Sequence, residues 1–155
     1  MTTVDSRSET FTMFAREVEP RLRLALSAAL GQQRGEEATS SALLYGWEHW
    51  DRVRGMDNPA GYLYRVGRRS VRTRHSNPMF LPVPTARLPE VEPALPKAMG
   101  ELSERQRTAV FLVFGLGWTR RETAELLGVS INSVGSHLAR GLGKLRDRLG
   151  VTNDD

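Results

Sequence analysis

Residues 118–137 read WTRRETAELLGVSINSVGSH, and two helix starts are written into that stretch. Thr119, followed three residues later by Glu122, has the spacing of a capping box, in which short polar side chains satisfy the free N–H groups of a helix's first turn. Ser130 is placed to cap the next helix. Between them Gly128 suits a left-handed turn, because a residue without Cβ adopts positive φ at no steric cost. Val129 follows to plug the angle. Ala124, Leu126 and Leu127 form the inward side of the first helix, and the small Ala124 lets the second helix approach with Val134 and Leu138. Two helices meeting steeply about a tight turn make a helix-turn-helix.

The outward side of the second helix is polar. Asn132, Ser133, Ser136 and His137, with Gly135 beside them, lie at its N-terminal end, the end that enters a DNA major groove in such motifs. Asn and Ser exchange hydrogen bonds with base edges, and a helix N-terminus favours phosphate. Arg120, Arg121 and Arg140 are placed to grip the backbone, with Thr119 at the helix start. Leu138, Leu142, Leu145 and Leu149 continue the helix as an apolar stripe that reads as core packing. Upstream, Ser103 to Gln106 forms another capping box ahead of Val110, Phe111 and Phe114, and Gly115 and Gly117 end that helix.

Prolines divide the chain. Pro78, Pro82, Pro84, Pro89, Pro93 and Pro96 remove backbone donors and disfavour helix in the residues before them. They predict a semi-rigid linker over 76–97, between a helical domain at 1–75 and a helix-turn-helix domain at 98–151. In the first domain Phe11, Phe14, Val18, Leu22 and Leu26 recur at helical steps, with Pro20 expected to kink that helix or start a new one and Gly31 to end it. A second helix is expected from about 36 to 53, with Leu43, Leu44, Trp47 and Trp50 on or near one face. Gly55 stops it, and Asn58-Pro59 opens a third from about 60 to 74. The expected fold class is all-α, a three-helix bundle linked to a helix-turn-helix domain.

The third helix concentrates positive charge. No Asp or Glu occurs between Asp57 and Glu90, whereas Arg65, Arg68, Arg69, Arg72 and Arg74 crowd two to three turns and leave Leu63 and Val66 to be buried. Like charges so close destabilise a helix unless an outside group neutralises them. A phosphate backbone is such a group. The net charge of +4 and pI near 10.1 fit the same kind of partner.

Other classes find no support. The chain has no cysteine, which excludes disulfides and thiolate metal sites, and His49, His75 and His137 are scattered, so no metal or cofactor is expected. Nothing pairs a nucleophile with a base, and Glu36 and Glu37, adjacent on a helix, point apart; neither an enzyme nor a small-molecule substrate is expected. No apolar run spans a bilayer, and MTTVDSRSET lacks the layout of a signal peptide, which predicts a cytoplasmic protein without membrane contact.

The C-terminal stretch LSERQRTAVFLVFGLGWTRRETAELLGVSINSVGSHLARGLGKLRDRLGV resembles region 4 of bacterial sigma factors, and WEHWDRVRGMDNPAGYLYRVGRRSVRTR is similar to region 2 of small sigma factors of the extracytoplasmic-function type. The resemblance implies a transcription initiation factor whose partners are RNA polymerase core and promoter DNA, with an anti-sigma protein as a further possible partner. It assigns Asn132, Ser133, Ser136 and His137 to major-groove reading and Arg120, Arg121 and Arg140 to phosphates, with Thr119 among the DNA-binding residues. Asp51 to Asn58 would take the place where the family holds a flipped base, with Arg65, Arg68, Arg69 and Arg72 facing DNA around it. Glu36, Glu37, Ser40, Ser41 and Leu44 would meet the polymerase clamp. Here the chain departs from the pattern, since serines stand where the family has a Gln and a second acid; Arg69 and Gly135 likewise replace a common Asn and Lys. SVGSHLARGLGKL also looks like a LuxR-type helix-turn-helix, which leaves a free-standing regulator as an alternative; a third reading is a protein-binding adaptor or decoy that uses its helical blocks to bind protein.

Overall fold

The computed structural model describes residues 3–71 and 94–150, with side chains from Ser6 onward. Every described element is helical: α1 (Thr3–Leu30), α2 (Gln32–Glu48), α3 (Trp50–Val53), α4 (Pro59–Ser70), α5 (Leu95–Gly100), α6 (Glu104–Val110), a π-helical turn (Phe111–Gly115), α7 (Arg120–Leu127) and α8 (Ile131–Leu149). The all-α expectation holds.

Val18, Leu22, Ala25, Leu26 and Ala29 place the buried stripe of α1 against α2 and α4. Of the two outcomes expected at Pro20, a new helix does not begin there; the proline lies inside α1. Packing of the stripe on both sides of it outweighs local propensity, and its exposed position lets water serve the carbonyl that a proline leaves without a donor. Gly31 (φ 89°) then ends the helix, and α2 doubles back. The two helices approach so closely at Gly35 that a Cβ there would sit 2.5 Å from the Ser27 Cα.

The helix expected over 36–53 is two. His49 (φ −117°) interrupts it, separating α2 from the short α3. Asn58 caps α4 with Pro59 in its first turn, as expected. On α4, Leu63 is buried, but its partners in burial are Tyr64 and Gly67, whereas Val66 is half-exposed. The reason is a second covered face. Tyr64 turns toward Thr108 of α6, and burial raises its phenol pKa well above the usual tyrosine value.

In the C-terminal half, α5 starts within the stretch expected to be linker, so residues 95–97 are helical, with Pro96 in the first turn where a missing donor costs nothing. The remainder of that stretch, 76–93, lies outside the described residues. Ser103 and Gln106 close the expected capping box: Ser103 Oγ accepts from Gln106 N at 3.2 Å, and Ser103 N donates to Gln106 Oε1 at 3.3 Å. Ala109, Val110, Ala124, Val134, Leu138 and Leu145 form this half's core.

The two halves share apolar surface. Leu112 and Leu126 enter the N-terminal core, and Ala28 enters the C-terminal one. Arg107 crosses the seam: its Nε–H donates to Ala28 O at 2.8 Å and its Nη2–H to Ala29 O at 2.6 Å. These are last-turn carbonyls of α1, which have no partner within their own helix. Arg21 of α1 adds a contact 3.9 Å from the Glu122 carboxylate, its guanidinium 5.2 Å from the Trp118 ring centroid.

Candidate nucleic-acid interface

The helix-turn-helix is built as its residues require. Thr119 Oγ1 accepts from Glu122 N at 3.0 Å and donates to the Glu122 carboxylate at 3.0 Å. Gly128 takes the left-handed conformation at φ 69°, ψ 34°. Ser130 Oγ accepts from Ser133 N at 3.0 Å and donates to Ser133 Oγ at 2.9 Å. Val134 and Leu138 are fully buried behind the turn with Ala124, and Val129 packs against the same core.

That inward anchoring fixes what α8 presents outward. Asn132, Ser136 and Arg140, four residues apart, are all exposed on one face. Arg120 and Arg121 are exposed at the start of α7. The Arg120 guanidinium reaches over α8, 3.6 Å from where a Cβ on Gly135 would stand. Ser133 is half-buried and occupied by its capping partner.

His137 faces elsewhere. It lines a small cleft with Tyr64 and Arg68 of α4, Glu104, Arg105 and Thr108 of α6, and Leu127 and Val129. Burial first, then the nearby Arg105 and Arg140 charges, hold its imidazole pKa below the ordinary histidine value.

The α4 arginines also turn toward the seam. Arg65, Arg68 and Arg69 line a cleft of about 480 Å3 with Leu30, Val71, Glu104 and Arg105. Arg68 is ion-paired with Glu104, the sole acid among those lining residues. Arg65 lies against the Gly128 turn, 3.6 Å from the place of a Cβ. Asn58 accepts from Gly61 N at 3.0 Å and donates from Nδ2 to Glu125 O at 2.6 Å. Arg72 lies outside the described residues.

Beside the 51–58 stretch is a cluster that sequence reasoning missed. Tyr45 stacks on His49 with centroids 4.1 Å apart, its hydroxyl 3.2 Å from that of Tyr62. Arg52 donates to both hydroxyls, at 3.1 Å to Tyr62. The hydrogen bond with Tyr62, then burial, raises the Tyr45 pKa. The four-residue step from Tyr45 to His49 was a usable signal; the reach of Arg52 to Tyr62 was not, because it depends on how α3 and α4 meet. Aromatic rings with a guanidinium suit the stacking of unpaired bases.

On α2, Glu36, Glu37, Ser40 and Leu44 share an exposed face, with Ser41 half-buried at its edge. Leu44 is 58% exposed, unusual for a large apolar side chain flanked by a folded core. Among the described residues no group of three or more His, Asp or Glu could hold a metal ion, and no helix is long and apolar enough to cross a membrane.

Residues 93–145 match the family described as sigma-70, region 4. The fold is similar to that of the sigma factor RpoE from Bartonella quintana in its co-crystal structure with the anti-sigma factor NepR, with a TM-score of 0.61 and 20% identity over 94% of this chain and 99% of that one. No curated protein matches the chain in sequence. The resemblance read from the sequence is thus supported by a region 4 match at the C-terminal end and by a sigma factor's fold over nearly the whole chain.

Proposed function

We propose that this chain is a sigma-type transcription initiation factor of the extracytoplasmic-function class, reading promoter DNA with α8 while the exposed face of α2 docks on RNA polymerase core. The observation that carries the reading is the pairing, in one sigma-like fold, of a region 4 helix-turn-helix with an outward face of Asn132, Ser136 and Arg140. Asn and Ser supply donors and acceptors for base edges, and Arg120, Arg121 and Arg140 supply phosphate contacts. Asn58, Arg65, Arg68, Arg69 and Arg72, with Tyr45, Arg52 and Tyr62, hold the melted downstream strand. Glu36, Glu37, Ser40, Ser41 and Leu44 meet the polymerase. The protein performs no chemistry and works in the cytoplasm; polymerase makes the bonds. By likeness to the RpoE complex, an anti-sigma protein is a partner of the same kind. The proposed domains are 1–75 and 95–151, with α5 opening the second, joined by the segment 76–94.

Purified chain mixed with core polymerase and a promoter library tests this. Run-off transcripts dependent on the chain are expected. A duplex shift with no core complex at micromolar concentration would instead mark a free-standing regulator.

A further inference from the structure

Arginine is used in two ways along the seam. Arg107 is spent on structure: half-buried, it gives its N–H groups to the carbonyls of Ala28, Ala29 and Leu102. Arg65, Arg69 and Arg105 are used differently. All three are exposed, and among the described residues no carboxylate lies within ion-pair distance of any of them. Yet they line one cleft of about 480 Å3, where Arg68 joins them and Glu104, already paired with Arg68, is the one acid. Four guanidinium groups against one carboxylate leave a net charge of +3 in a concavity the size of a small-ligand site. Like charges held this close repel, and a solvated surface normally intersperses the two signs. Both halves contribute: Arg65, Arg68 and Arg69 come from α4 and Arg105 from α6, while Leu30 and Val71 add apolar wall.

Guanidinium forks take phosphate oxygens two at a time. One phosphate monoester carries a charge of about −1.5 to −2 at neutral pH, less than the cleft offers, whereas two linked phosphates come close to balancing it. We infer that this cleft binds a small ligand with a diphosphate group, held by Arg65, Arg68 and Arg69 from one side and by Arg105 from the other. The site goes beyond the functional reading above, which gives the α4 arginines to promoter DNA and gives Arg105 and Leu30 no part. DNA also differs in chemistry, since it spaces single charges along a strand and presents no linked pair of phosphates.

Isothermal titration calorimetry of the full chain, in magnesium-free buffer at physiological ionic strength, tests the site. The probes are inorganic pyrophosphate, adenosine 5′-diphosphate, orthophosphate as the single-phosphate control, and a single-stranded oligonucleotide. One molecule per chain is expected with either diphosphate, and at least tenfold weaker binding with orthophosphate. Arg105→Gln is expected to weaken the diphosphates at least tenfold, the scale of one charge-assisted hydrogen bond. Glu104→Gln is expected to strengthen them severalfold, because it removes the opposing charge and releases Arg68; damage to the fold would act in the other direction. Arg146→Gln, at an exposed position of α8 outside the cleft, removes the same charge and is expected to leave the affinity unchanged. Tighter binding of the adenosine compound adds a nucleoside to the ligand, and equal binding assigns recognition to the phosphates alone; both support the site. No binding of either diphosphate at millimolar concentration, equal losses in Arg105→Gln and Arg146→Gln, or a loss in Glu104→Gln overturns it. So does binding of the oligonucleotide alone, which returns the arginines to DNA. None of these measurements involves polymerase or a promoter, so failure of the site leaves the functional reading standing.

Discussion

Asn58 and Glu125, 67 residues apart in sequence, are joined by a 2.6 Å hydrogen bond from the Asn58 amide to the Glu125 carbonyl. The other end of the same amide caps α4 at Gly61 N. One side chain thus starts a helix in one half and touches the other half. Asn58→Ala is expected to destabilise the protein by about 1.5 to 3 kcal/mol, a lost cap plus a lost hydrogen bond. Asn58→Asp retains the cap and is expected to cost only about 1 kcal/mol. Denaturant titration of both variants checks the difference.

Glycines in helices give a contrast of sign. A Cβ on Gly35 would meet the Ser27 backbone at 2.5 Å, whereas nothing lies within 4 Å of one on Gly143 in α8. Gly35→Ala is therefore expected to destabilise by several kcal/mol or to force α1 and α2 apart. Gly143→Ala is expected to stabilise by about 0.5 to 1 kcal/mol, through helix propensity alone. Thermal melts separate the two.

His137 gives the pH dependence. Its folded-state pKa lies below the ordinary value, through burial and the Arg105 and Arg140 charges, with Tyr64, Arg68 and Glu104 also lining its cleft. The native state then takes up this proton less readily than the unfolded chain, whose histidine titrates near about 6.5. Stability is expected to fall as pH drops below about 6.5 and to level off past the folded-state midpoint. An NMR titration of the His137 ring locates that midpoint, and His137→Gln should flatten this part of the stability profile.

Base reading and phosphate contact are separable on α8 and α7. Ser136→Ala or Asn132→Ala is expected to lose about 1 to 3 kcal/mol of discrimination at particular base pairs while leaving the salt slope unchanged. Arg121→Ala is expected to weaken binding evenly across sequences and lower that slope by about one. Fluorescence anisotropy at several salt concentrations distinguishes the two outcomes.

Polymerase docking is tested at α2. Leu44→Ser leaves the buried core untouched, since Leu44 is exposed, and is expected to weaken the complex with core polymerase at unchanged melting temperature. Ser40→Gln with Ser41→Glu restores polar groups that the chain lacks and is expected to tighten it roughly tenfold. Biolayer interferometry against core measures both.

The sequence spoke most clearly where one local rule decided the outcome. Thr119, Gly128 and Ser130 act through their own turn, and each adopts the geometry that its chemistry requires. Pro20 left two outcomes open, a new helix or a kink, and the packing of Val18 and Leu22 on either side of it keeps α1 running through that position. Val66, expected to be buried, is half-exposed while Tyr64 is buried, because α4 has a second neighbour, α6, that its own periodicity does not encode. For the same reason Arg68 and His137, read as outward-facing from helical spacing, turn toward the seam.

Arg107 gives the end of α1 a further meaning. Two of the last carbonyls of the longest described helix, Ala28 O and Ala29 O, are satisfied from the opposite half, so docking adds to what holds that turn. Separation removes the donor to those carbonyls and invites fraying at a terminus that already borders a glycine. The tail of α1 is thus a built-in gauge: its amide exchange rate reads out docking from within the N-terminal half, without any probe on the C-terminal one.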